Sequence, residues 1–257
     1  MSLIKAGQEA RFPRLRPTRL ARTRSTQDIV LRAARDGAAE GFCCLAAEQT
    51  AGRGRQGRAW VAPAGSALLA SVLLRRSPAV ATGIPFAAGL ALLDTLTAMY
   101  GLAAGLKWPN DLLVDGRKLA GILSEVEPGG ATSGRVAVAL GLGVNLRVET
   151  FPEGADGVSL HTLVETVPDA EALLIVWGEA LGVRLTTLEA GGIAAIVGDW
   201  RRCAVGLGGP VTVNGPSGSV RGTAIDVDED GALVVDVDGE RLRFLAADVH
   251  LGTRSVG

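Results

Sequence analysis

An arginine- and glycine-rich segment at residues 52–58 carries the strongest chemical signal in the chain. Three arginines and three glycines share its seven positions, with no acidic residue among them. Like charges repel and glycine loses much backbone entropy on ordering, whereas guanidinium groups bind phosphate bidentately. Trp60 follows and offers a flat face for a base. The pattern predicts a lid over a phosphorylated, nucleotide-containing ligand. The alternative is a solvated surface loop or a nucleic-acid patch.

A second polar group occupies positions 107–111. Lys107 could meet a phosphate as a point charge, and Asp111 could hold a metal ion through its carboxylate oxygens. Pro109 fixes the backbone and Asn110 adds an amide. The same residues are typical of a polar turn closed by an Asn–Asp pair, so this group alone fits either interpretation.

Lys118 follows the Asp115–Gly116 hairpin signal and opens an apolar strand. A lysine at that place either snorkels from a sheet edge or meets an anion. Gly121 in the same strand indicates the close approach of a ligand or of another backbone segment. Glu125 continues the strand, and we expect it to point outward.

The sequence GLGVN at positions 141–145 ends a long apolar strand, and the Asn145 amide can pair with a base edge. Because these glycines do not open a helix, they are not a dinucleotide-binding fingerprint, and the chain has no P-loop motif. It also lacks the Gly-x-Ser-x-Gly elbow of the α/β-hydrolases. His161 and His250 lie far apart in the sequence, which argues against a zinc site.

Apolar periodicity and turn residues predict an α+β fold. The expected strands lie at 20–23, 42–47, 67–74, 112–114, 118–126 and 136–144, and the expected helices at 27–35, 84–99, 159–164, 170–188 and 193–202, with a turn at 129–134. After residue 206, Asn-Gly or Asp-Gly signals at 214–215, 230–231 and 238–239 separate four short alternating runs. They predict a small β-barrel or curled sheet of about 50 residues.

Composition limits the classes of function. The chain has 257 residues, 47% hydrophobic and 21% charged, which suits one large domain or one large plus one small domain. A net charge of −1 supplies no basic field for DNA, and no apolar run has membrane-spanning length, so we expect neither DNA nor a membrane as partner. Adjacent Cys43 and Cys44 with a lone Cys203 indicate a reducing cytosol and a cytoplasmic protein.

Three regions are expected along the chain. Residues 1–17 are predicted to be a disordered basic arm, because Pro13 and Pro17 break any helix there. Residues 18–205 are predicted to form the main domain, and residues 206–257 the small β-barrel domain.

Six short motifs in a fixed order together resemble the biotin–protein ligases, also called biotin–[acetyl-CoA-carboxylase] ligases. They are RSTQ at 24–27, EQT at 48–50, the arginine segment with Trp60, and positions 107–111, 117–123 and 141–146. The resemblance is close over residues 25–145 and extends through the C-terminal unit. It implies a class II synthetase-like catalytic domain, a mixed β-sheet with helices on one side, followed by an SH3-like β-barrel.

The resemblance also implies an ATP-dependent ligase that forms an amide bond. Such an enzyme makes biotinyl-5′-AMP from biotin and ATP with Mg²⁺. It then passes biotin to one lysine of a biotin carboxyl carrier protein or domain of an acetyl-CoA or acyl-CoA carboxylase.

Roles for single residues follow from the resemblance. Lys118 is expected to be the chief electrostatic catalyst, bridging the biotin carboxylate and the α-phosphate, with Arg53 and Arg55 reaching the adenylate. The implied biotin site consists of Ser25, Thr26, Gln49, Gly52, Arg53, Arg55, Lys118 and Gly121.

The implied ATP and adenylate site lies beside it. Trp60 is expected to pack on the adenine, Asn145 to contact the adenine, and Asp111 to bind Mg²⁺. The full set is Arg55, Arg58, Trp60, Lys107, Asn110, Asp111, Lys118 and Asn145.

Two positions depart from the family pattern. Many relatives have asparagine where this chain has Gln27, which leaves the contact of Gln27 open, and a basic residue where it has Gln56, so the lid is expected to depend less on salt. Some members carry an N-terminal winged helix-turn-helix of about 60 residues that binds operator DNA. Only 24 residues precede Ser25, so we expect a monofunctional ligase without that DNA-binding domain.

Three alternatives remain open at this point. A lipoate–protein ligase shares the catalytic fold, but it usually carries an Arg-Arg-x-Ser-Gly-Gly-Gly stretch that this chain lacks. A DNA-binding regulator that senses biotinyl-5′-AMP would need the N-terminal winged helix-turn-helix. An interaction protein whose arginine segment binds nucleic acid leaves positions 107–111 and Lys118 unexplained.

Overall fold

The computed structural model describes residues 12–132, 134–215 and 218–252. A seven-stranded sheet forms the centre of the molecule. Its strands are β1 (Thr18–Leu20), β2 (Cys43–Ala46), β3 (Ala67–Arg76), β4 (Gly105–Lys107), β5 (Asp111–Val114), β6 (Arg117–Thr132) and β7 (Arg135–Asn145). They lie in the order β1-β2-β3-β7-β6-β5-β4. The sheet is mixed, since β1 and β2 pair in parallel and the other pairs are antiparallel.

Five α-helices accompany this sheet among the described residues. They are α1 (Thr26–Arg35), α2 (Pro78–Ala81), α3 (Ile84–Tyr100), α4 (Ala170–Gly191) and α5 (Ala194–Arg202). α3 is apolar nearly throughout, which reflects its burial between the sheet and α4. Within the same residues, no helix combines the length and the apolarity needed to cross a bilayer.

Helices cover both faces of the sheet, so the expectation of helices on one side is wrong. Val30 and Ala34 of α1 pack on Leu73 of β3 and on Ala137 and Ala139 of β7. The alternate residues of the same two strands share the main core with α3 and α4. Successive strand residues point to opposite faces, and β3 and β7 are apolar at both parities. Each face therefore has to be covered.

The segment before β1 is packed against the main core. Phe12 is 8% exposed and Leu15 is 2% exposed. A Cβ atom at Gly178 of α4 would lie 2.7 Å from Leu15 Cδ1, so the glycine lets this segment approach the helix. The prediction of a disordered arm over residues 1–17 is therefore wrong for residues 12–17, because two apolar side chains supply core contacts. The rest of that predicted arm lies outside the described residues.

A five-stranded antiparallel sheet follows the helices. Its strands are β8 (Gly209–Gly215), β9 (Gly218–Val227), β10 (Leu233–Val237), β11 (Glu240–Phe244) and β12 (Asp248–Leu251), in the order β11-β10-β9-β8-β12. Asp238 and Gly239 have φ values of 52° and 91°, as a type I′ turn requires, which confirms that hairpin signal. The hairpin signalled at residues 214–215 also forms, since β8 and β9 pair antiparallel, but residues 214 and 215 are the last paired residues of β8 and not the turn itself. β12 is a fifth strand where four were expected.

Two further elements of the first unit differ from their predictions: the turn expected at residues 129–134 and the helix expected at residues 159–164. β6 continues to Thr132 through the turn expected at residues 129–134, with a register shift after Glu127. The helix expected at residues 159–164 is a single 3₁₀ turn, Leu160–Thr162. Asp115 and Gly116 do form the predicted hairpin turn, with φ values of 50° and 77°.

The second sheet is docked on the first unit through specific polar contacts. Trp108 Nε1 donates to the Gly231 carbonyl at 3.0 Å, and Arg201 Nε donates to the Val227 carbonyl at 2.6 Å. A Cβ atom at Gly231 would lie 2.8 Å from Ile193 Cδ1, which shows how closely the turn approaches the helical layer. This docking brings β12 beside the arginine segment, where Asp248 forms an ion pair with Arg58.

Replacing Leu15 with alanine tests whether residues 12–17 belong to the core. Removing a buried leucine side chain is expected to lower the free energy of unfolding by about 2–5 kcal/mol, measured by urea denaturation. Arg14→Ala, which changes an exposed neighbour, should shift it by less than about 0.5 kcal/mol. If both substitutions changed the free energy of unfolding by the same small amount, residues 12–17 would not belong to the core and the prediction of a disordered arm would stand.

Candidate functional site

A cavity of about 580 Å³ opens on the face of the main sheet that carries α1. It brings together nearly all the site residues predicted from the sequence. Those that line it are Ser25, Thr26, Gln49, Arg53, Arg55, Arg58, Trp60, Lys107, Asn110, Asp111, Lys118, Gly121 and Asn145. Gly52 lies behind the wall, where a Cβ atom would meet the Trp60 carbonyl oxygen at 2.5 Å.

The floor of the cavity is a strip of glycines at the centre of the sheet. Gly121 of β6 is paired with Gly143 of β7, and the Trp60 indole lies on both. A Cβ atom at Gly121 would lie 2.9 Å from the ring and one at Gly143 would lie 2.8 Å from it. The close approach expected at Gly121 is therefore made by an aromatic side chain of the same chain.

The end of the cavity next to α1 is neutral and polar. The main-chain N–H and the hydroxyl of Thr26 both donate to Gln49 Oε1, at 2.7 and 3.1 Å. Thr26 Oγ1 also lies 2.7 Å from Ser71 Oγ. Since the Thr26 proton is used on Gln49, Ser71 is the donor to Thr26. Ser25 accepts from the Gln27 N–H at 3.3 Å and caps the helix.

Ser71 was missed by sequence reasoning, although a signal was present. It is the one hydroxyl within the apolar run at residues 67–74 of β3. A lone polar residue at the centre of a fully buried strand needs a buried partner. Here that partner is Thr26.

Arg53 is held by two carboxylates from two different elements. It forms an ion pair with Asp28 of α1, and its Nη2 donates to Glu125 Oε2 of β6 at 3.1 Å. The expectation that Glu125 points outward is wrong. Gly121 and Glu125 share a parity in β6, so Glu125 lies on the face that bears the cavity and α1.

The other two arginines of the segment reach toward the second sheet. Arg58 Nη2 lies 2.9 Å from Asp248 Oδ1 of β12. The Arg55 guanidinium stands 6.0 Å from the centroid of the Trp108 ring, and burial lowers the pKa of Arg55. Asp248 was not found from the sequence, because the pair joins a loop residue of the arginine segment to a strand of the second sheet far along the chain.

Two lysines and one aspartate form the cationic end of the cavity. Lys118 Nζ lies 2.6 Å from Asp111 Oδ1 and 5.5 Å from the centroid of the Trp60 ring. Lys107 faces Asp111 across the β4–β5 pair. Burial lowers the pKa of Lys107, with Lys118 acting in the same direction and Asp111 opposing. The arrangement suits a ligand that brings several negative charges.

Both predicted asparagines brace the backbone of the site. Asn110 Nδ2 donates to the Ile122 carbonyl at 2.6 Å. Asn145 Nδ2 donates to the carbonyls of Lys118 and Val158, each at 3.2 Å. Because both amide hydrogens of Asn145 are used in this way, any contact of Asn145 with a base runs through its side-chain oxygen.

Metal ligands are sparse in this region. In the part of the chain that the structure describes, no three His, Cys, Asp or Glu side chains come together as a metal site. Asp111 is a single carboxylate beside a lysine. It can serve a cation only together with ligands that a substrate supplies.

The mixed sheet and a cavity with a neutral end and a cationic end on a glycine floor are the features of this protein's class. Comparison of the sequence and the fold with known families identifies that class. The model of the Biotin/lipoate A/B protein ligase family matches residues 20–145, and the model of the Biotin protein ligase C terminal domain matches residues 206–252. Biotin protein ligase from Aquifex aeolicus in complex with biotin and ATP has the same fold, with a TM-score of 0.78 at 22% identity, over 91% of this chain and 98% of that one.

Relatives with assigned names narrow the class from biotin and lipoate ligases to biotin–protein ligases. The biotin–[acetyl-CoA-carboxylase] ligase of Mycobacterium tuberculosis is 36% identical over 90% of this chain and 88% of its own length. That of Paracoccus denitrificans is 37% identical over 91% of this chain and 99% of its own. The bifunctional ligase/repressor BirA of Escherichia coli is 30% identical over 82% of this chain and 66% of its own. The chain therefore belongs to the biotin–protein ligase family.

The contact between Arg58 and Asp248 predicts how firmly the arginine segment is held. In Asp248→Asn, trypsin is expected to cut after Arg58 up to about fivefold faster, since an exposed ion pair contributes about 0.2–1 kcal/mol. The measurement is the initial rate of appearance of the peptide that begins at Ala59. Asp238→Asn, in an exposed turn of the same sheet, is the control and should leave that rate unchanged. A rate in Asp248→Asn equal to that of the unsubstituted chain would show that the pair does not restrain the segment.

The lowered pKa of Lys107 can be measured directly, because the chain has three lysines. After reductive ¹³C-methylation, the Lys107 signal is expected to titrate at lower pH than methylated lysine in a short peptide, since burial penalises the cation. Asp111→Asn removes an opposing carboxylate and should move the titration lower still. The Lys107 signal is assigned as the one that is missing from the spectrum of Lys107→Arg. Titration at or above the peptide value would contradict the burial argument.

Proposed function

We propose that this chain activates biotin with ATP to biotinyl-5′-AMP and transfers the biotin to a lysine of a biotin carboxyl carrier domain. The carrier belongs to an acetyl-CoA or acyl-CoA carboxylase. One observation carries the proposal: a single cavity joins a neutral hydrogen-bonding end at Thr26 to a cationic end at Lys118 across a glycine floor. Relatives at 36–37% identity bear the name biotin–[acetyl-CoA-carboxylase] ligase.

The first reaction brings two anions together. A carboxylate oxygen of biotin attacks the α-phosphorus of ATP, a new P–O bond forms and pyrophosphate leaves. Lys118 stands at the cationic end, where an ion pair with Asp111 at 2.6 Å limits its rotation. A fixed cation there lowers the barrier because it screens the repulsion and stabilises the charge that develops in the transition state. Lys107 supplies a second positive group for the phosphates.

The neutral end suits the ureido ring of biotin. Thr26, Gln49 and Ser71 already form a connected set of donors and acceptors there. A site built to hydrogen-bond a polar ring rejects an analogue without such groups, because its buried polar atoms would be left unpaired. The dithiolane ring of lipoate has neither donor nor strong acceptor, so this end favours biotin.

The arginine segment closes over the product of the first reaction. Arg53 and Arg58 are held at present by carboxylates, and Arg55 by the Trp108 face and the second sheet. An ordered lid keeps water from the mixed anhydride. In the second reaction the carrier lysine amine attacks the biotinyl carbonyl, the C–N bond forms, and AMP leaves with the anhydride oxygen.

Magnesium fits this site as an ion carried by the nucleotide. Mg²⁺ is commonly bound through one or two carboxylates together with substrate phosphates, and Asp111 is the carboxylate at the cationic end. When bound, the ion would neutralise phosphate charge as pyrophosphate departs. Lys118 and Lys107 act on the same phosphates.

The finer description of the fold is part of the same proposal. We assign a class II synthetase-like arrangement to the unit at residues 18–205 and an SH3-like barrel to that at residues 206–257. The three free thiols at Cys43, Cys44 and Cys203 support a cytosolic location, where thiols stay reduced.

Biotin-dependent exchange of pyrophosphate into ATP tests the first reaction. The unsubstituted chain is expected to catalyse exchange with biotin and not with lipoate. Lys118→Ala should lower the exchange rate by about 10²- to 10³-fold, since it removes the group that stabilises the transition-state charge. Arg117→Ala is the matched control, because it removes the adjacent exposed cation outside the cavity and should keep the rate within about twofold.

Two outcomes would overturn this function. Exchange that depends on lipoate would place the chain with the sister ligases. Absence of exchange with either acid, in protein whose unfolding transition is intact, would mean that the cavity does not activate a carboxylate.

A further inference from the structure

The arginine segment is part of a short β-hairpin at residues 52–60. The Trp60 N–H donates to the Gly52 carbonyl at 3.0 Å, and the Gly54 N–H donates to the Arg58 carbonyl at 2.7 Å. The paired residues, all in one register, are Gly52 with Trp60, Arg53 with Ala59 and Gly54 with Arg58. A single 3₁₀ turn closes the loop between them. Every one of these contacts is made by the chain itself.

The tip of the hairpin holds Gln56 in a conformation that a free loop would avoid. Gln56 and Gly57 have φ values of 54° and 73°. Glycine adopts this left-handed region easily, whereas a residue with a side chain enters it at a cost. The pairing of the two strands imposes that cost on Gln56. Its side chain is exposed and does not line the cavity, so a substitution there leaves the cavity wall unchanged.

Both strands of the hairpin are fixed at their base. A two-stranded hairpin is only marginally stable by itself, so it needs such support. On one strand, Arg53 is held by Asp28 of α1 and by Glu125 of β6. On the other strand, the Trp60 indole packs on the glycine floor. The base is therefore ordered through contacts with α1 and with the main sheet.

The tip is held more weakly than the base. The Arg58 side chain is 55% exposed where it meets Asp248. The hydrogen bond from Arg55 Nη1 to the Ala247 carbonyl is long, at 3.4 Å. Exposed ion pairs contribute little, because water and salt screen both charges. Phosphate oxygens can therefore replace the partners of these two arginines while the base keeps its own.

We propose that the arginine segment is a hairpin that forms when the chain folds, with Arg53 as its positioning residue, and that only Arg55 and Arg58 change partners when a ligand binds. The identity of that ligand, whose phosphate the two arginines receive, rests on the proposed function. Asp28 and Glu125 act through Arg53. The glycine backbone is then ordered before the ligand arrives, so its ordering does not reduce the free energy of binding.

Amide hydrogen exchange in the absence of biotin and ATP, followed by NMR on the ¹⁵N-labelled chain, tests the hairpin. The Gly54 and Trp60 amides are expected to exchange at least about tenfold more slowly than in an unstructured peptide, because each donates a backbone hydrogen bond within the hairpin. Gln56→Asn should slow this exchange, since asparagine tolerates the left-handed region. Gln56→Val should speed it at least about twofold, since a β-branched residue does not.

Asp28→Asn tests the anchor at the base. It removes one partner of Arg53 and should speed the exchange of the Gly54 amide about two- to fivefold. Asp36→Asn, which changes an exposed carboxylate at the other end of α1, is the control and should leave that rate unchanged. The Leu73 amide of β3 should keep its rate in both variants, which distinguishes a local effect from a general loss of stability.

Two results would overturn the inference. One is exchange of the Gly54 and Trp60 amides at the peptide rate until biotin and ATP are added, which would mean that the ligand folds the segment. The other is an equal Gly54 rate in Gln56→Asn, in Gln56→Val and in the unsubstituted chain. Biotin-dependent pyrophosphate exchange, measured in parallel, reports on the proposed function, so the failure of one is distinguishable from the failure of the other.

Discussion

The pairing of Gly121 with Gly143 is the constraint on which the site depends. Most of the main sheet is packed on both faces, and a cavity can exist at its centre only where side chains are missing. The two glycines create that gap, and Trp60 fills part of it instead of closing it. The indole then provides a face beneath Lys118 and ties the arginine segment to the sheet. A pair of missing Cβ atoms thus determines where the aromatic ring, the lysine and the arginine segment lie.

Charge compensation is the second organising feature of the site. Three of the cations around the cavity are paired with carboxylates from separate elements: Arg53 with Asp28 and Glu125, Arg58 with Asp248 and Lys118 with Asp111. A closely spaced set of unpaired cations would destabilise the folded chain. Polyanionic ligands can compete for these cations, because exposed ion pairs are worth little. The same cationic side chains therefore stabilise the fold through ion pairs and are available to bind an anionic ligand.

How much the sequence could predict depends on the range of the interaction involved. The turn at Asp115 and Gly116 was predictable, because its geometry follows from residue types alone. The signal at residues 214–215 marked the β8–β9 hairpin but not its turn, because cross-strand pairing with β9 extends through both residues. The motif residues line one cavity, whereas Asp28, Ser71 and Asp248 were not foreseen. Each of these three side chains contacts a partner that is distant in the chain, and the spacing of residues in a sequence does not predict such contacts.

The position of β12 has a consequence for the way the protein is made. Asp248 and His250 complete the rim of the cavity, although every other element of the site precedes residue 160. A ribosome releases the glycine floor, the lysines and the arginine segment long before it reaches these residues, and domains generally fold in that order. During this interval the nascent chain holds the reactive centre without its outer wall. Assembly of the site therefore ends at the rim, and a chain interrupted before β12 would hold the lysines and the arginine segment without the Asp248 carboxylate that pairs with Arg58.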